Sequence, residues 1–219
     1  MLVLEDLPAA TRVALVAKLS DTLAQFVVAR NWLSADRASR VAGEARERSA
    51  MNIAAQSRGD DISGLVQHLR ATGQLTAGLI LRALLSGNIE LFDQALAELS
   101  GLPRARVSAL LHDRGGASLQ ALLRRAGLPE STFAAFRVAL EAIHEIGFVD
   151  SAGGEARLRR RMVERVLTHC ETSPEATEPL LILLRRFATE SAREEARMFC
   201  DELIADEAVA PVQHDPIAA

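Results

Sequence analysis

Residues 76–103 read Thr76-Ala77-Gly78-Leu79-Ile80-Leu81-Arg82-Ala83-Leu84-Leu85-Ser86-Gly87-Asn88-Ile89-Glu90-Leu91-Phe92-Asp93-Gln94-Ala95-Leu96-Ala97-Glu98-Leu99-Ser100-Gly101-Leu102-Pro103. Thr76 and Asn88 belong to the small set of side chains that cap helix N-termini, and Gly87 and Gly101 suit the left-handed position that ends a helix. Between these marks Leu79, Leu81, Leu84 and Leu85, then Leu91, Phe92, Leu96 and Leu99, supply the apolar content of two successive helices. The triplet Gly101-Leu102-Pro103 returns 26 residues later as Gly127-Leu128-Pro129. In each, glycine closes one helix, leucine folds back on it, and proline opens the next at its first position, where a missing N–H costs nothing.

Working outward, Pro8 opens a first helix that runs to about Asn31, and Ser34 caps a second that runs to about Ser57. Gly59-Asp60-Asp61 breaks the chain before a third helix carrying Leu65, Val66 and Leu69 to Gly73. Downstream, Asp150-Ser151-Ala152-Gly153-Gly154 reads as a linker, followed by a basic helix from about Glu155 to Glu171. Pro179 falls in the first turn of a long final helix ending near Glu207. Strand signals are almost absent, and the strong helix formers Ala, Leu, Arg and Glu dominate. The expected fold is all-α. Leu79–Gly87 aligns with Leu119–Gly127 at an offset of 40, close to the unit length of HEAT and armadillo repeats. A short HEAT-like stack and an irregular multi-helix bundle both satisfy the pattern. The organisation expected is a helical-repeat-like domain over 1–147, a C-terminal helical hairpin over 155–207 and a disordered tail over 208–219.

The stretch from Gly64-Leu65-Val66-Gln67-His68-Leu69 through Gly73-Gln74-Leu75-Thr76, the Leu79–Asn88 segment, both Gly-Leu-Pro triplets and Leu110-Leu111-His112-Asp113 resembles an uncharacterised, mostly alphaproteobacterial family known only as a domain of unknown function. The resemblance covers about residues 60–146. It implies a helical, HEAT-like, cytoplasmic protein and carries over no activity, cofactor or catalytic residue. The segments before residue 60 and after Gly147 fall outside it.

Composition narrows the chemistry. The chain has 219 residues, 49% hydrophobic and 25% charged, with a net charge of −4. Lys18 is the sole lysine, and no glycine-rich segment precedes it, which excludes a phosphate-cradling P-loop. No apolar run approaches the ~20 residues of a membrane span. The acids Glu5 and Asp6 stand where a signal peptide needs basic residues. Cytoplasmic residence is the expectation. Glu141-Ala142-Ile143-His144 has the spacing of two metal ligands on one helix, but a di-iron bundle needs a second copy of the motif. His68 lies in a segment that faintly resembles a phospho-accepting helix, with Ala71 where such helices carry lysine. Cys170 and Cys200 read as small buried apolar side chains. No metal and no cofactor is expected.

Two arginine patterns stand out. Arg157, Arg159, Arg160, Arg161 and Arg165, joined by Arg185 and Arg186, form a basic face suited to phosphate or to an acidic partner. The acids from Glu190 to Glu207 offer the same cluster internal counter-ions. Arg82, set among leucines, must find acceptors if buried. Asp93, Asp113 and Glu98 are the partners expected, with a groove facing an acidic ligand as the alternative. The final helix carries a stripe of Leu181, Leu184, Ala188, Ala192, Ala196, Phe199 and Leu203, which either packs on its own domain or forms a homodimer seam. The function expected is a non-enzymatic protein-protein interaction or regulatory module. Nucleic-acid binding through the arginine-rich face is one alternative, and a phospho-acceptor or enzyme working through His68 or His144 is another.

Overall fold

The computed structural model describes residues 7–112, 116–146 and 154–209, with backbone alone for residues 146, 154, 155 and 202–209. The protein is all-α. The helices are α1 (Ala9–Ala29), α2 (Ala35–Gln56), α3 (Asp60–Ala71), α4 (Ala77–Leu85), α5 (Ile89–Ser100), α6 (Arg104–His112), α7 (Ala117–Arg125), α8 (Phe133–Ile146), α9 (Gly154–Thr172) and the long α10 (Glu178–Val209).

Their ends follow the local chemistry. The side chains of Ser34, Thr76 and Asn88 accept hydrogen bonds from the N–H groups of Arg37, Leu79 and Leu91, satisfying donors that the first helical turn leaves free. Gly101 (φ 67°) and Gly127 (φ 72°) take the left-handed conformation that the repeated triplet requires. Pro103 stands one place before α6 rather than inside it. Pro129 leads into a 3-10 turn, Glu130–Thr132, before α8 begins. Gly154 is the first residue of α9, not the last of a linker. The remaining linker positions 150–153, Asp113, the first six residues and the tail beyond 209 lie outside the described residues.

The core is built around α4. Every residue from Leu79 to Leu85 is buried, because α5, α8 and α9 pack around this helix and Leu183 of α10 closes on its first turn. A Cβ on Gly78 would stand 3.2 Å from Leu183 Cδ2, so the missing side chain is what admits α10 so near. Phe92 of α5 stacks on Phe136 of α8 at 6.0 Å. One continuous cluster joins these residues to Met162, Val166 and Cys170 of α9 and to Leu180, Leu184 and Phe187 of α10. Each large apolar side chain fully buried there contributes ~1.5–3 kcal/mol.

The N-terminal hairpin is covered less. α1 and α2 pack on each other, and α3 joins them to the rest. Asp61 of α3 accepts a hydrogen bond from the Ala9 N–H (2.7 Å) and pairs with Arg12 (3.6 Å), holding the start of α1. Beyond Val13, none of the side chains of α1 is fully buried. On α10 the early stripe packs on its own domain, with Leu184 buried and Leu181, Ala188 and Ala192 half-buried, whereas Phe199 is exposed. The side chain of Leu203 is outside the described residues.

Candidate functional site

Arg82 is 8% exposed, and the geometry around it decides what the region can do. Its Nη1 donates to Glu190 Oε2 at 2.7 Å and its Nη2 to Glu190 Oε1 at 3.4 Å, a two-pronged grip on one carboxylate. Glu47 Oε2 stands 3.5 Å from Nη2. The guanidinium lies over the Phe187 ring, 4.3 Å from its centre, so the cation is held between acids and an aromatic face. These partners correct the sequence expectation. Glu98 is engaged by Arg70 at 2.7 Å, and Asp93 sits on α5 with its Oδ1 buried and without a hydrogen-bond partner. Asp113 is outside the described residues. Acids near Arg82 in sequence lie on the next helix, whereas α2 and α10 bring theirs from far along the chain.

The pair is the centre of a wider network. Arg186 binds Glu47 at 2.8 Å and lies 3.7 Å from Glu44, while Arg48 reaches Glu190 only at 3.9 Å. Three arginines and three glutamates thus tie α2, α4 and α10 together.

The arginine-rich face of α9 is treated similarly. Arg157 and Arg160 both reach Glu195 (3.3 and 2.7 Å), Arg160 also takes Glu164, and Arg159 takes Glu194 at 2.5 Å. Arg165 binds Glu145, and Arg185 binds Glu171 and Glu178. Arg161 is exposed and makes no ion pair among the described residues. Hydrogen bonds and charge from Arg165 hold the Glu145 carboxyl below the usual range. Glu195 is lowered chiefly by the hydrogen bond from Arg160, with Arg157 adding to it. The acids of α10 therefore neutralise most of what the sequence presents as a basic surface.

A cleft of about 400 Å³ opens between α2, α4, α9 and α10. Met51, Leu85, Val163 and Phe187 give it apolar surface, and Asn52, Ser86, Asn88 and Ser191 give it hydrogen-bonding groups. Five arginines line it, Arg48, Arg82, Arg159, Arg193 and Arg197, against two glutamates, Glu190 and Glu194. That is an excess of three positive charges on a chain whose net charge is −4. Arg193 and Arg197 are exposed and have no ion pair among the described residues. Sequence reasoning missed Arg48, Arg193 and Arg197. The available signal was the spacing of Arg186, Glu190, Arg193, Glu194 and Arg197, a polar stripe at helical period beside the apolar stripe of α10.

The remaining candidates stay apart from the cleft. Glu141 is bound by Arg137 at 2.9 Å, and the His144 ring stands edge-on to His112 at 6.0 Å. His68 is half-buried on α3. Cys170 is buried, and burial pushes its thiol upward, away from reactivity. Cys200, by contrast with expectation, is exposed, because α10 runs on past the helices that cover its first half. Burial also raises Asp93, an effect that the Arg104 and His112 charges partly oppose. Among the described residues no helix is long and apolar enough to cross a membrane.

Residues 1–176 match the family described as an uncharacterised protein conserved in bacteria (DUF2336), and the chain belongs to that family. No curated protein and no solved structure matches it. The match is wider than the 60–146 of the sequence resemblance, taking in the N-terminal hairpin and the basic helix α9. It ends two residues before α10, so three walls of the cleft lie inside the matched region and the fourth follows it.

Proposed function

We propose that this member of the family is a cytoplasmic, non-enzymatic interaction module, regulatory in role, that receives an acidic segment of a protein partner in the arginine-lined cleft. One observation carries the reading: Arg193 and Arg197 line a concave surface and have no ion pair among the described residues, while the arginines of α9 around them are almost all paired. Unpaired guanidiniums in a partly apolar cleft favour carboxylates, which they bind through two parallel hydrogen bonds. Met51, Leu85, Val163 and Phe187 in the cleft wall give such a segment an apolar foothold. Antiparallel helices stacked in a HEAT-like manner supply the rigid ridges against which extended segments dock. Among the described residues, the groups whose proton affinity the fold shifts, Asp93, Glu145, Arg160, Arg165, Cys170 and Glu195, are not among those lining the cleft, which favours binding over acid–base catalysis. Among the described residues, the large apolar side chains that α10 leaves exposed for a homodimer are Ile182, Met198 and Phe199.

Nucleic-acid binding is the competing reading, and one experiment separates them. A fluorescent acidic peptide of alternating Glu, Asp and Leu is titrated with the full chain at low salt, beside a mixed-sequence DNA duplex. The reading expects the peptide to bind and affinity to fall roughly tenfold in R193E/R197E, with salt reducing it further. No peptide binding at low salt, or equal binding by the double variant, overturns it. Duplex binding that falls steeply with salt, without peptide binding, transfers the function to phosphate recognition.

A further inference from the structure

The N-terminal hairpin poses a different problem. A helix apolar around most of its circumference is normally covered around most of it. On α1, one sector of small and branched residues packs on α2, and its inner end on α3. The neighbouring sector holds Leu15, Leu19, Leu23 and Phe26, spaced i, i+4, i+8 and i+11 and therefore aligned, and these are 48%, 60%, 54% and 46% exposed. Trp32, just past the helix, is 67% exposed and stands edge-on to Phe26 at 5.7 Å. Charge is sparse along this face, apart from Arg30, whose guanidinium lies over the Phe26 ring at 5.3 Å from its centre. The charged residues of α1 are Arg12, which pairs with Asp61, Asp21, which pairs with Arg46, and Lys18 at the rim.

We infer that this face is the seat of a second copy of the same chain, forming a two-fold dimer in which the two α1 helices pack antiparallel. Two properties select that occupant. The stripe reads nearly the same in both directions about residue 21: Leu15 lies six places before it and Phe26 five after, and Leu19 and Leu23 are two to either side. An antiparallel copy thus sets Leu15 against the partner's Phe26 and Leu19 against the partner's Leu23, the self-complementarity that a two-fold interface demands. The area is also of the required size. Leu15, Leu19, Leu23, Phe26 and Trp32 together present about 600 Å² per copy, at the lower end of the ~600–1,000 Å² per partner of a stable interface and at the top of the range for the largest apolar patch on a monomer.

Lys18, the sole lysine, makes the geometry measurable. In this arrangement the two Lys18 residues lie on the same side of the seam, separated by about 9 Å along the helix axes. A short amine-reactive cross-linker is expected to join Lys18 to the second copy's Lys18, identified by mass spectrometry of the digested dimer band. Sedimentation of the full chain is expected to give a dimer, and L19E/L23E a folded monomer with an unchanged helical circular-dichroism spectrum. Both positions are exposed, so the substitutions leave the core intact, and the cross-link test needs no variant. A chain that sediments as a monomer at its highest soluble concentration overturns the inference. So does a dimer that yields no Lys18–Lys18 link, or one that survives L19E/L23E. A dimer lost instead in F199E moves the seam to α10. Because R193E/R197E leaves α1 untouched, failure of the cleft proposal does not affect this result.

Discussion

α4 and α1 draw on much the same residues, chiefly alanine and leucine with a few branched side chains, yet they end in opposite environments. α4 is surrounded so completely that even its arginine is buried, whereas α1 keeps a line of leucines and a phenylalanine in water. The difference lies in neighbours rather than in the helices. α4 lies against α5, α8, α9 and α10, whereas α1 packs chiefly on α2 and α3. Apolar content says that a helix face needs covering, and only the tertiary arrangement says whether this chain or another one covers it.

Two pairs of substitutions sharpen that contrast, the pair with the larger effect first. Leu84→Ala, in the middle of α4, is expected to cost about 2–5 kcal/mol in urea unfolding, because the deleted methyl groups leave a cavity that α5, α8 and α9 cannot close. Leu19→Ala on α1, measured at concentrations where the chain is monomeric, is expected to shift stability by less than about 0.5 kcal/mol. Comparable losses at both sites would erase the distinction. Next, Glu190→Gln is expected to cost about 1–3 kcal/mol, since it takes the nearest carboxylate from a buried guanidinium while leaving Glu47 and Phe187 in place. The same change at the hairpin's half-exposed Asp21–Arg46 pair, Asp21→Asn, should stay within about 0.5 kcal/mol.

The smallest effect concerns Asp93, on the covered side of the molecule. Burial raises its carboxyl, so ionisation at neutral pH opposes folding. The stability this group allows is present below its unfolded value and is lost as pH rises through the higher folded value. Asp93→Asn is therefore expected to raise the melting temperature modestly at neutral pH. Its advantage should shrink as pH falls through the folded value toward the ordinary carboxylate range. Glu145 and Glu195 titrate with the opposite sign, so wild type and variant are compared at each pH rather than across pH. An advantage that grows on acidification would refute the assignment.

What the sequence disclosed was what acts over a few residues. Ser34, Thr76 and Asn88 cap the helices they precede, and Gly101 and Gly127 end the helices they follow, because a cap needs only its own turn of backbone. The ion pairs of the basic helix were foreseeable too, since Glu194 and Glu195 stand on the helix that returns beside it. The partner of Arg82 was hidden for the complementary reason. Its acid lies 108 residues away, and nothing local marks Glu190 above its neighbours. The cleft was half-legible: Arg82 and Arg159 were flagged by their settings, but nothing in the sequence near Arg193 and Arg197 marks them as lining a concave surface rather than an open one.

The long reach of that contact bears on how the molecule is made. During synthesis Arg82 leaves the ribosome well before Glu190, and at about 5–20 residues per second the wait is roughly 5 to 20 s. In that interval Glu47, already made, is the counter-ion within reach, and Phe187 does not yet exist to lie beneath the guanidinium. The nascent protein must therefore tolerate a half-dressed cation at its centre, and arrival of the last helix is the event that seals the interior.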